Sequence, residues 1–446
     1  MIISIDWLKD FIDIEETPEE LSNMLSSLGL EADSDNQFGD IKDVVIGKVI
    51  SVSDHPNADR LNVCMVSDGQ KEFQVVCGAP NVAEGQIIAY AKVGSILPGG
   101  FNLEQIKLRG VESNGMICSA RELNISDEHD GILVLPESCR LGANFVDEYA
   151  NKFLKIELDI TPNRPDAFSH YGVARDISVF KKRTLKPLTF EVKNTNNAST
   201  FNISISDQKD CTRYIGAIVN DVKVGPSPTW IQDRLIAAGQ RPINNLVDIS
   251  NYVLMEMGQP THIFDWDKVS SDEILVRRAN KNESITTLDQ DLYKLNENNL
   301  LITDGDKPIA IAGVMGGYNS AVNEETKTIF IESAFFDPIV IRKSSKSLML
   351  RTEAYKRYER GADPQGALPA FWKIIYLIEK YAGGSFDGDF LDVNHTGLNN
   401  DSIILRFSEI EQILGVPLEK DFIVEVLEGL GFNVKVSNDS EFNCIP

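Results

Sequence analysis

The sequence changes character near residue 40, and this change divides the chain into regions of different architecture. Before it, TPEELSNMLSSLG at 17–29 has the marks of a helix, since Thr17 and Glu20 form a capping box and Gly29 ends the apolar repeat. After it come short β-rich runs between Gly, Asn and Pro turns, namely VVIGKVISV, LNVCMVSD, FQVVCGA and QIIAYAKVG. These runs predict a small all-β barrel over 40–151.

Two polar segments indicate further boundaries. NTNNAST at 194–200 predicts a linker, and a region of mixed α and β patterning, 200–395, follows it. VNHTGLNNDS at 393–402 predicts a second linker. After it, Ser408 and Glu411 predict a second capping box, and NVKV and FNCIP predict strands. Because the chain stops on an apolar run, we expect a multidomain α+β fragment whose last domain is truncated.

Composition excludes several classes of protein. With 42% hydrophobic residues the chain can form packed cores, and 446 residues suit roughly three domains. No apolar run approaches the ~18 residues that cross a bilayer, and the N-terminus lacks the pattern of a signal peptide. Six scattered cysteines without a CxxC pair favour reduced thiols over disulfides or zinc. We therefore expect a cytoplasmic protein that does not contact a membrane.

Several common catalytic motifs are absent from the sequence. GVMGG at 313–317 lacks the lysine of a P-loop, so it predicts either a tight turn or a close approach of main chain to a ligand. The sequence has no HExxH, no GxSxG and no clustered set of metal ligands. A lone histidine such as His262, in GQPTHIFD, is more often structural than catalytic. Taken alone, these residues leave both interpretations of His262 open.

The β-rich region contains three distinctive motifs, HPNADRLNV at 55–63, VVCGAPNV at 75–82 and GVESNGMICSARELNI at 110–125. They resemble the OB-fold tRNA-binding domain shared by several synthetases and tRNA-binding proteins. With a net charge of −24 the chain repels polyanions at long range, so contact with RNA would need a local patch. The candidate contacts to phosphate or ribose are Asn57, Arg60, Ser113, Asn114 and Arg121. Alternatively, each of these residues only caps a turn.

Further motifs follow in order along the chain. They are DITPNRPDAFSHYGVARDIS (159–178), RYIGAIV (213–219), RPINNLVDISNYVLMEMGQPTHIFD (241–265), IAGVMGG (311–317), IFIESAFFDP (329–338) and RTEAYKRYERGADP (351–364). Together with the OB-like motifs they resemble the bacterial phenylalanyl-tRNA synthetase β subunit. The resemblance extends over the whole chain and implies that the chain is the N-terminal portion of such a subunit.

The resemblance implies four domains. Residues 1–39 and 152–190 would form one α+β domain, into which the OB-fold domain, 40–151, is inserted. Residues 200–395 would form a mixed α/β editing domain. Residues 401–446 would begin a helix-turn-helix-like domain, and the remaining domains of the family would lie beyond Pro446.

The resemblance also implies an editing site, which hydrolyses mischarged tRNA. The matching positions are Arg241, Ser250, Asn251, His262, Gly316, Glu332, Thr352 and Ala354. Ser250 stands where the family more often has Thr, and Ile263 stands where Ala is usual. Glu353 and Tyr355, which flank Ala354, replace the more common Asp and Ser. These departures concern the rim of the pocket.

The chemistry of such a site follows from the substrate. An apolar pocket for Phe rejects an added hydroxyl only weakly, by roughly 10², so Tyr is sometimes attached to the tRNA. Glu332 is the natural reader of the Tyr hydroxyl, because a carboxylate accepts strongly from a phenol; the alternative is a surface glutamate at a strand end. Ala354 leaves room for the ring, and Gly316 lets main chain approach the substrate.

His262 and Arg241 would hold the ester and the terminal ribose or phosphate, with His262 able to order the attacking water. We therefore expect His262, Gly316, Glu332 and Ala354 to line one pocket, with Arg241 and Thr352 at its wall or mouth.

The resemblance implies partners and cofactors as well. A synthetase α subunit in an α2β2 assembly, tRNA(Phe), ATP and Mg²⁺ would take part in the attachment of Phe. The adenylation site would lie on the α subunit, and the metal ligands would lie there and beyond residue 446, with none within 1–446. Two other functions remain as alternatives: a non-enzymatic tRNA-binding protein that uses only the OB fold, and a degenerate structural scaffold.

Overall fold

The computed structural model describes residues 1–34, 37–194, 199–397, 402–438 and 440–445. Residues 195–198 and 398–401, which belong to the two predicted linkers, lie outside these ranges. Across the described part of the chain, no helix is long and apolar enough to cross a membrane.

The chain begins with two strands and two helices. These elements are β1 (Ile2–Ser4), α1 (Ile5–Leu8), α2 (Pro18–Ser27) and β2 (Glu31–Asp33). The predicted capping box of α2 is confirmed. The Thr17 hydroxyl accepts a hydrogen bond from the Glu20 main chain at 3.3 Å, and the Glu20 carboxylate accepts one from the Thr17 main chain at 2.9 Å. The buried face of α2 carries Leu21 and Leu25, as the apolar spacing predicts.

The β-rich region folds mainly as one sheet. Its elements are β3 (Lys42–Asp54), β4 (Asn62–Ser67), β5 (Glu72–Cys77), β6 (Ile87–Leu97), β7 (Phe101–Asn102), β8 (Ile106–Leu108), β9 (Val111–Ser113), β10 (Met116–Ile117), β11 (Val134–Leu135) and the helix α3 (Phe145–Glu148). The sheet order is β10–β6–β3–β4–β5, with β7 and β11 also paired to β6, and β8 and β9 form a separate hairpin. Among the described residues no strand pairing joins β10 to β5, so the predicted closure into an OB-fold barrel is not confirmed.

The segment after the β-rich region returns to the first strands. It contains β12 (Lys155–Asp159) and α4 (His170–Lys181). β12 lies between β1 and β2 in an antiparallel three-stranded sheet. Residues that precede and follow the β-rich region therefore share one sheet, while the domain boundaries themselves stay predictions.

The central region contains two sheets and five helices among the described residues. Its elements are β13 (Asn202–Ile205), β14 (Cys211–Val219), α5 (Thr229–Ala237), α6 (Asn245–Met257), β15 (Thr261–Asp265), β16 (Glu273–Arg278), β17 (Ser284–Thr286), β18 (Leu292–Lys294), β19 (Leu300–Thr303), β20 (Pro308–Ile311), β21 (Met315–Gly316), β22 (Ile329–Phe336), α7 (Pro338–Leu348), α8 (Glu353–Tyr358), α9 (Ala367–Tyr381) and β23 (Phe390–Asn394). The sheet orders are β13–β16–β19–β20–β21 and β15–β22–β14–β23, and β17 and β18 form a hairpin.

The four-stranded sheet is buried on both faces. Alternate residues of a strand point to opposite faces. On one face, Ile215 and Ile331 pack in a core with apolar residues of α6 and α9. On the other face, Tyr214, Phe330 and Ala334 pack in a core shared with the five-stranded sheet. Burial on both faces explains why RYIGAIV and IFIESAFF are nearly continuous apolar runs rather than alternating ones.

The C-terminal region is a small unit of two helices and three strands. It consists of β24 (Ile403–Arg406), α10 (Phe407–Leu414), α11 (Lys420–Gly429), β25 (Asn433–Asn438) and β26 (Glu441–Ile445), with sheet order β24–β26–β25. Strands are confirmed at the predicted NVKV and FNC segments, but the helix-turn-helix-like fold is not confirmed. The predicted capping box is wrong, because α10 begins at Phe407 and Ser408 therefore lies within its first turn. Glu409, not Glu411, accepts from the Arg406 main chain at 3.4 Å.

Candidate functional site

Three residues form a row across the four-stranded sheet. Antiparallel pairing sets Glu332 of β22 opposite His262 of β15 on one side and opposite Gly216 of β14 on the other. Cross-strand partners point to the same face of a sheet, with their Cβ atoms about 4.5–5.5 Å apart. The strand register therefore brings the His262 imidazole next to the Glu332 carboxyl, although the two residues are distant in sequence.

A cavity of about 60 Å³ lies over this row. It is bounded by β15, β20, β21, β22 and α8, and by the turn between β20 and β21. The lining residues are Pro260, Thr261, His262, Ile302, Ala310, Ile311, Gly313, Val314, Met315, Gly316, Glu332, Ala354 and Tyr358. The structure thus brings His262, Gly316, Glu332 and Ala354 to one cavity. Pockets that enclose a whole small ligand measure roughly 300–1,000 Å³, so this cavity suits one end of a ligand.

Gly316 is held against the imidazole ring of His262. A Cβ atom at position 316 would lie 2.5 Å from both Cε1 and Nε2 of His262. No side chain fits there without moving the ring, so the glycine is required by a close approach rather than by its backbone angles. The close approach at Gly316 is to a side chain of the protein, and the predicted approach of the GVMGG main chain to a ligand stays a prediction.

His262 is partly buried, and its ring is free of hydrogen bonds to the described residues. The ring packs edge-on against Phe264, with centroids 4.5 Å apart. Burial lowers the pKa of His262 to about 4, so the imidazole is neutral at pH 7. A neutral imidazole has one nitrogen that donates and one that accepts, and both are available to a molecule in the cavity.

Glu332 lies deeper than His262, with 4% of its surface exposed. Its Oε2 atom is buried and has no hydrogen-bond partner among the described residues. Burial raises the pKa of Glu332 to about 8, and the neighbouring Tyr214 hydroxyl opposes part of that rise. The carboxyl is therefore mostly protonated at pH 7 and can both donate and accept a hydrogen bond.

Thr352 and Ala354 stand at the start of α8. The Thr352 hydroxyl accepts from the Tyr355 main chain at 3.1 Å and donates to Val314 O at 2.8 Å. Thr352 therefore caps α8 and ties it to a residue that lines the cavity, without lining the cavity itself. The Ala354 methyl group borders the cavity directly.

The two residues that flank Ala354 have partners within α8 and at its end. Glu353 forms ion pairs with Arg357 at 2.8 Å and with Lys356 at 2.6 Å. The Tyr355 hydroxyl donates to Glu359 at 2.5 Å. These departures from the family pattern serve the helix and do not enter the cavity wall.

Besides Thr352, three further predicted residues do not line the cavity. The Ser250 hydroxyl donates to Thr261 O at 2.9 Å, so Ser250 supports a residue that lines the cavity from behind β15. Asn251 follows it in α6. Arg241 is exposed and precedes the N-terminus of α6, whereas β15 follows the C-terminus of that helix. Arg241 is not among the residues that line the cavity, and its predicted position at the wall or mouth stays a prediction.

Tyr358 was missed by the sequence-based interpretation, although it lines the cavity. Its hydroxyl lies within hydrogen-bond distance of two main-chain acceptors, Ala334 O at 3.0 Å and Pro260 O at 3.3 Å. Tyr358 follows Ala354 by four residues in the same helix, and such residues share one helical face. Helical spacing from Ala354 was thus the signal that could have identified it.

The five predicted RNA contacts differ in exposure. Ser113 is 2% exposed, and its hydroxyl accepts from the Val76 main chain at 3.0 Å and donates to Gly115 O at 2.9 Å. This buried hydroxyl therefore has partners inside the protein, and its predicted contact with phosphate or ribose stays a prediction. Asn57 donates to Arg109 O at 3.1 Å, and the Asn114 side chain accepts from Gln105 at 2.8 Å. Arg60 and Arg121 are exposed.

No group of three or more His, Cys, Asp or Glu side chains in the described ranges is arranged to hold a metal ion. The residues of the cavity also do not fit one, since its titratable groups are a single carboxyl, a single imidazole and the Tyr358 phenol.

Two family models match the chain. Residues 44–144 match the family described as a putative tRNA binding domain. Residues 210–383 match the B3/4 domain family, and this range contains His262, Gly316, Glu332 and Ala354. The β-rich region and the cavity therefore fall in different family models.

Curated relatives extend the similarity to the whole chain. The phenylalanine–tRNA ligase β subunit of Syntrophotalea carbinolica is 41% identical over 99% of this chain and 56% of the relative. The β subunits of Bacillus licheniformis and Protochlamydia amoebophila are also 41% identical, over 98% and 100% of this chain and 56% of each relative. Among solved structures, an N-terminal fragment of the Pyrococcus horikoshii phenylalanyl-tRNA synthetase β subunit is 16% identical, covering 66% of this chain and 81% of the fragment. Its TM-score of 0.31 is too low to establish a shared fold.

The resemblance that the motifs predicted is thus confirmed by relatives that match from end to end of this chain. The chain belongs to the phenylalanine–tRNA ligase β-subunit family and spans about half the length of the curated relatives it matches.

Proposed function

We propose that the cavity over the His262–Glu332 row is an editing site that hydrolyses tyrosine wrongly esterified to tRNA(Phe). The observation that carries the proposal is the buried Glu332 carboxyl in the wall of the cavity, beside an imidazole that has no hydrogen bond to a described residue. A buried polar group without a partner costs about 1–3 kcal/mol, so a ligand that supplies the partner is favoured.

The depth of the two groups suggests how a tyrosyl ester binds. Glu332 lies at the deeper end, and His262 is more exposed. The aromatic side chain enters past Ala354 with its hydroxyl towards Glu332, and the ester carbonyl remains near His262. The cavity volume of about 60 Å³ is consistent with a cavity that receives only one end of the substrate.

Recognition of the phenol uses a protonated carboxyl rather than a carboxylate. Since burial raises the pKa of Glu332 to about 8, the group is mostly neutral at pH 7. A neutral carboxyl and a phenol can exchange one hydrogen bond in either direction. Phenylalanine offers no hydroxyl and leaves the buried carboxyl unsatisfied, so its ester is bound less well.

His262 orients the attacking water. The water attacks the ester carbonyl, the bond to the ribose oxygen breaks, and free tyrosine and the 3′ hydroxyl of the tRNA result. With a pKa of about 4, His262 is too weak a base to carry a proton for long at neutral pH. Its role is to accept a hydrogen bond from the water and hold it in line with the carbonyl.

The experiment is to measure the hydrolysis of Tyr-tRNA(Phe) by the full chain and by Ala354→Trp. Because Ala354 borders the cavity, the indole should block it and lower the rate at least tenfold. Overpacking typically costs about 1–3 kcal/mol, so rates are compared per folded molecule at a temperature below the unfolding midpoint of both proteins. Ala354→Gly changes the same residue but keeps the cavity open, and it should retain most of the activity. An Ala354→Trp protein that clears Tyr-tRNA at the normal rate would contradict the proposal.

We further propose that this chain acts within the whole synthetase. The complete β subunit, with an α subunit in an α2β2 assembly, would support the ATP- and Mg²⁺-dependent attachment of Phe to tRNA(Phe). ATP and Mg²⁺ would serve the assembly, and no step of the editing reaction described above uses them. The isolated chain should show no ATP-dependent charging of tRNA, and measurable charging would contradict this assignment.

The β-rich region would contact the tRNA. Among the predicted residues, the exposed Arg60 and Arg121 are the strongest candidates, and Asn57 and Asn114 border the same region. Changing both arginines to alanine should weaken binding and reduce its dependence on salt, as measured by filter binding at several salt concentrations. A purely tRNA-binding, non-enzymatic function is not favoured, since the relatives over the whole chain are named as ligase subunits.

A further inference from the structure

A second tyrosine reaches Glu332 from behind the cavity. Tyr214 of β14 pairs with Ala334 of β22, and Gly216 pairs with Glu332. Tyr214 and Glu332 are therefore diagonal neighbours on the same face of the sheet, a separation that aromatic and long side chains can bridge. The residue directly opposite Glu332 is Gly216, and the space that a side chain there would fill is occupied by the Phe330 ring.

The Tyr214 hydroxyl is buried and has no hydrogen-bond partner among the described residues. Tyr214 is 0% exposed, and Glu332 Oε2 also has no hydrogen-bond partner among the described residues. Buried hydroxyl and carboxyl groups in folded proteins almost always have partners. The Tyr214 hydroxyl nevertheless acts on Glu332, since it opposes part of the effect of burial on the Glu332 pKa, so these two buried atoms lie close to each other.

The other polar groups that face Glu332 are committed elsewhere or lie on the cavity side. The Tyr358 hydroxyl donates to main-chain oxygen at Ala334, and the Cys211 thiol donates to Arg213 O at 3.4 Å. His262 lies across the sheet on the opposite flank, at β15. Of the three described residues Cys211, Tyr214 and Tyr358, whose side chains interact with the Glu332 carboxyl, Tyr214 is the one whose polar atom has no hydrogen-bond partner.

We propose that Tyr214 is a positioning residue for the specificity of this site: its hydroxyl holds one oxygen of the Glu332 carboxyl so that the other is aimed at the phenol of the substrate. This inference rests on the proposed editing function. The carboxyl then has an internal partner on one side and the substrate hydroxyl on the other. Without Tyr214, the buried carboxyl has no internal partner to fix its rotation.

The first test is hydrolysis by the full chain carrying Tyr214→Phe, which removes one oxygen and keeps the ring. The ratio of kcat/KM for Tyr-tRNA(Phe) to that for Phe-tRNA(Phe) should fall about fivefold to tenfold, mainly through a higher KM for the tyrosyl ester. The matched control is Tyr252→Phe, a buried tyrosine whose hydroxyl donates to Glu256 at 2.9 Å in α6. It should leave the ratio unchanged. A ratio that Tyr214→Phe does not alter would overturn the proposal.

The second test does not depend on activity. The chain carries ¹³C-labelled glutamate, Glu332 is assigned by its absence in Glu332→Gln, and its carboxyl is titrated by NMR. Because Tyr214 opposes the effect of burial on the Glu332 pKa, Tyr214→Phe should move the titration midpoint to higher pH. Tyr252→Phe should not move it. An unshifted midpoint in Tyr214→Phe would refute the contact itself.

The two tests separate two kinds of failure. If the parent chain hydrolyses neither ester, the proposed editing function fails, while the titration still decides whether Tyr214 acts on Glu332. If the parent chain prefers the tyrosyl ester and Tyr214→Phe keeps the same preference, only the role of Tyr214 fails.

Discussion

Two histidines in this molecule both have lowered pKa values but differ in their surroundings. His170 is 0% exposed, accepts from the Ser4 main chain at 2.9 Å and lies 2.8 Å from Met255 O, to which its other nitrogen donates. Its ring also stacks on Trp7, with centroids 4.1 Å apart. His262, by contrast, has no hydrogen bond to a described residue and borders a cavity beside Glu332.

The comparison shows which observation separates a structural histidine from a candidate functional one. Burial lowers the pKa of both, to about 3 for His170 and to about 4 for His262. A lowered pKa therefore does not distinguish them. What differs is that both nitrogens of His170 are used to join the N-terminal segment, α4 and α6, whereas those of His262 are available to a ligand.

The largest effect should come from removing the structural histidine. His170→Ala deletes a buried ring, its stacking on Trp7 and two hydrogen bonds, which should lower the free energy of unfolding by about 3–5 kcal/mol. Urea unfolding followed by tryptophan fluorescence measures this loss, because Trp7 contacts the ring. Hydrolysis of Tyr-tRNA per folded molecule should change little. A loss below about 1 kcal/mol would remove the contrast between the two histidines.

His262→Ala should give the opposite pattern. Without the imidazole that orients the water, the rate of Tyr-tRNA hydrolysis should fall about 10²-fold, while the choice between Tyr and Phe esters changes less. The unfolding free energy should change far less than in His170→Ala, since no hydrogen bond to a described residue is lost. Rates are measured by single-turnover deacylation. Wild-type rates in this variant would return His262 to a structural role.

A smaller effect concerns the dependence of stability on pH. Folding raises the pKa of Glu332 from its ordinary 4.5 to about 8, so the folded protein holds a proton that the unfolded chain releases in this range. The stability from this group is therefore complete below pH 4.5 and is lost as the pH rises towards 8. The two histidines affect stability in a different pH range. Because folding lowers their pKa values from 6.5, the unfolded chain binds protons more readily below pH 6.5, and the stability of the fold decreases as the pH falls.

Glu332→Gln removes the contribution of Glu332 to the pH dependence of stability, because glutamine does not titrate. Relative to the parent, its melting temperature should be higher at pH 8 than at pH 5, by about 2 °C or more. Melting curves of both proteins at several pH values measure the difference. Parallel curves for the two proteins would mean that Glu332 is ionised in the folded state.

Local features of the fold could be predicted from the sequence. The capping box of Thr17 and Glu20 depends on residues three apart, and the short β-rich runs depend on their own composition and turns. Both were found. The second capping box was misplaced because Ser408 and Glu411 have the same spacing as a true capping box. In the structure α10 begins earlier, at Phe407, and the Glu409 carboxylate accepts a hydrogen bond from the main chain of the N-cap residue Arg406.

Features that depend on strand pairing could not be predicted in the same way. Nothing local in the sequence specifies that Tyr214 lies diagonal to Glu332, or that the order of the β-rich sheet stays open. The burial of Ser113 likewise depends on Val76, in a strand distant in sequence. The grouping of His262, Gly316, Glu332 and Ala354 was expected only through the family resemblance, and the open Glu332 oxygen became visible only in the structure.

The most direct test of the editing site is the ratio of hydrolysis rates for Tyr-tRNA(Phe) and Phe-tRNA(Phe), measured for the parent chain and for Glu332→Ala. The parent should prefer the tyrosyl ester. Glu332→Ala should lose a preference worth about 1–3 kcal/mol, which is roughly a fivefold to 150-fold fall in the ratio, because the phenol no longer meets a buried carboxyl. An unchanged preference in Glu332→Ala would contradict the account of how this cavity selects its substrate.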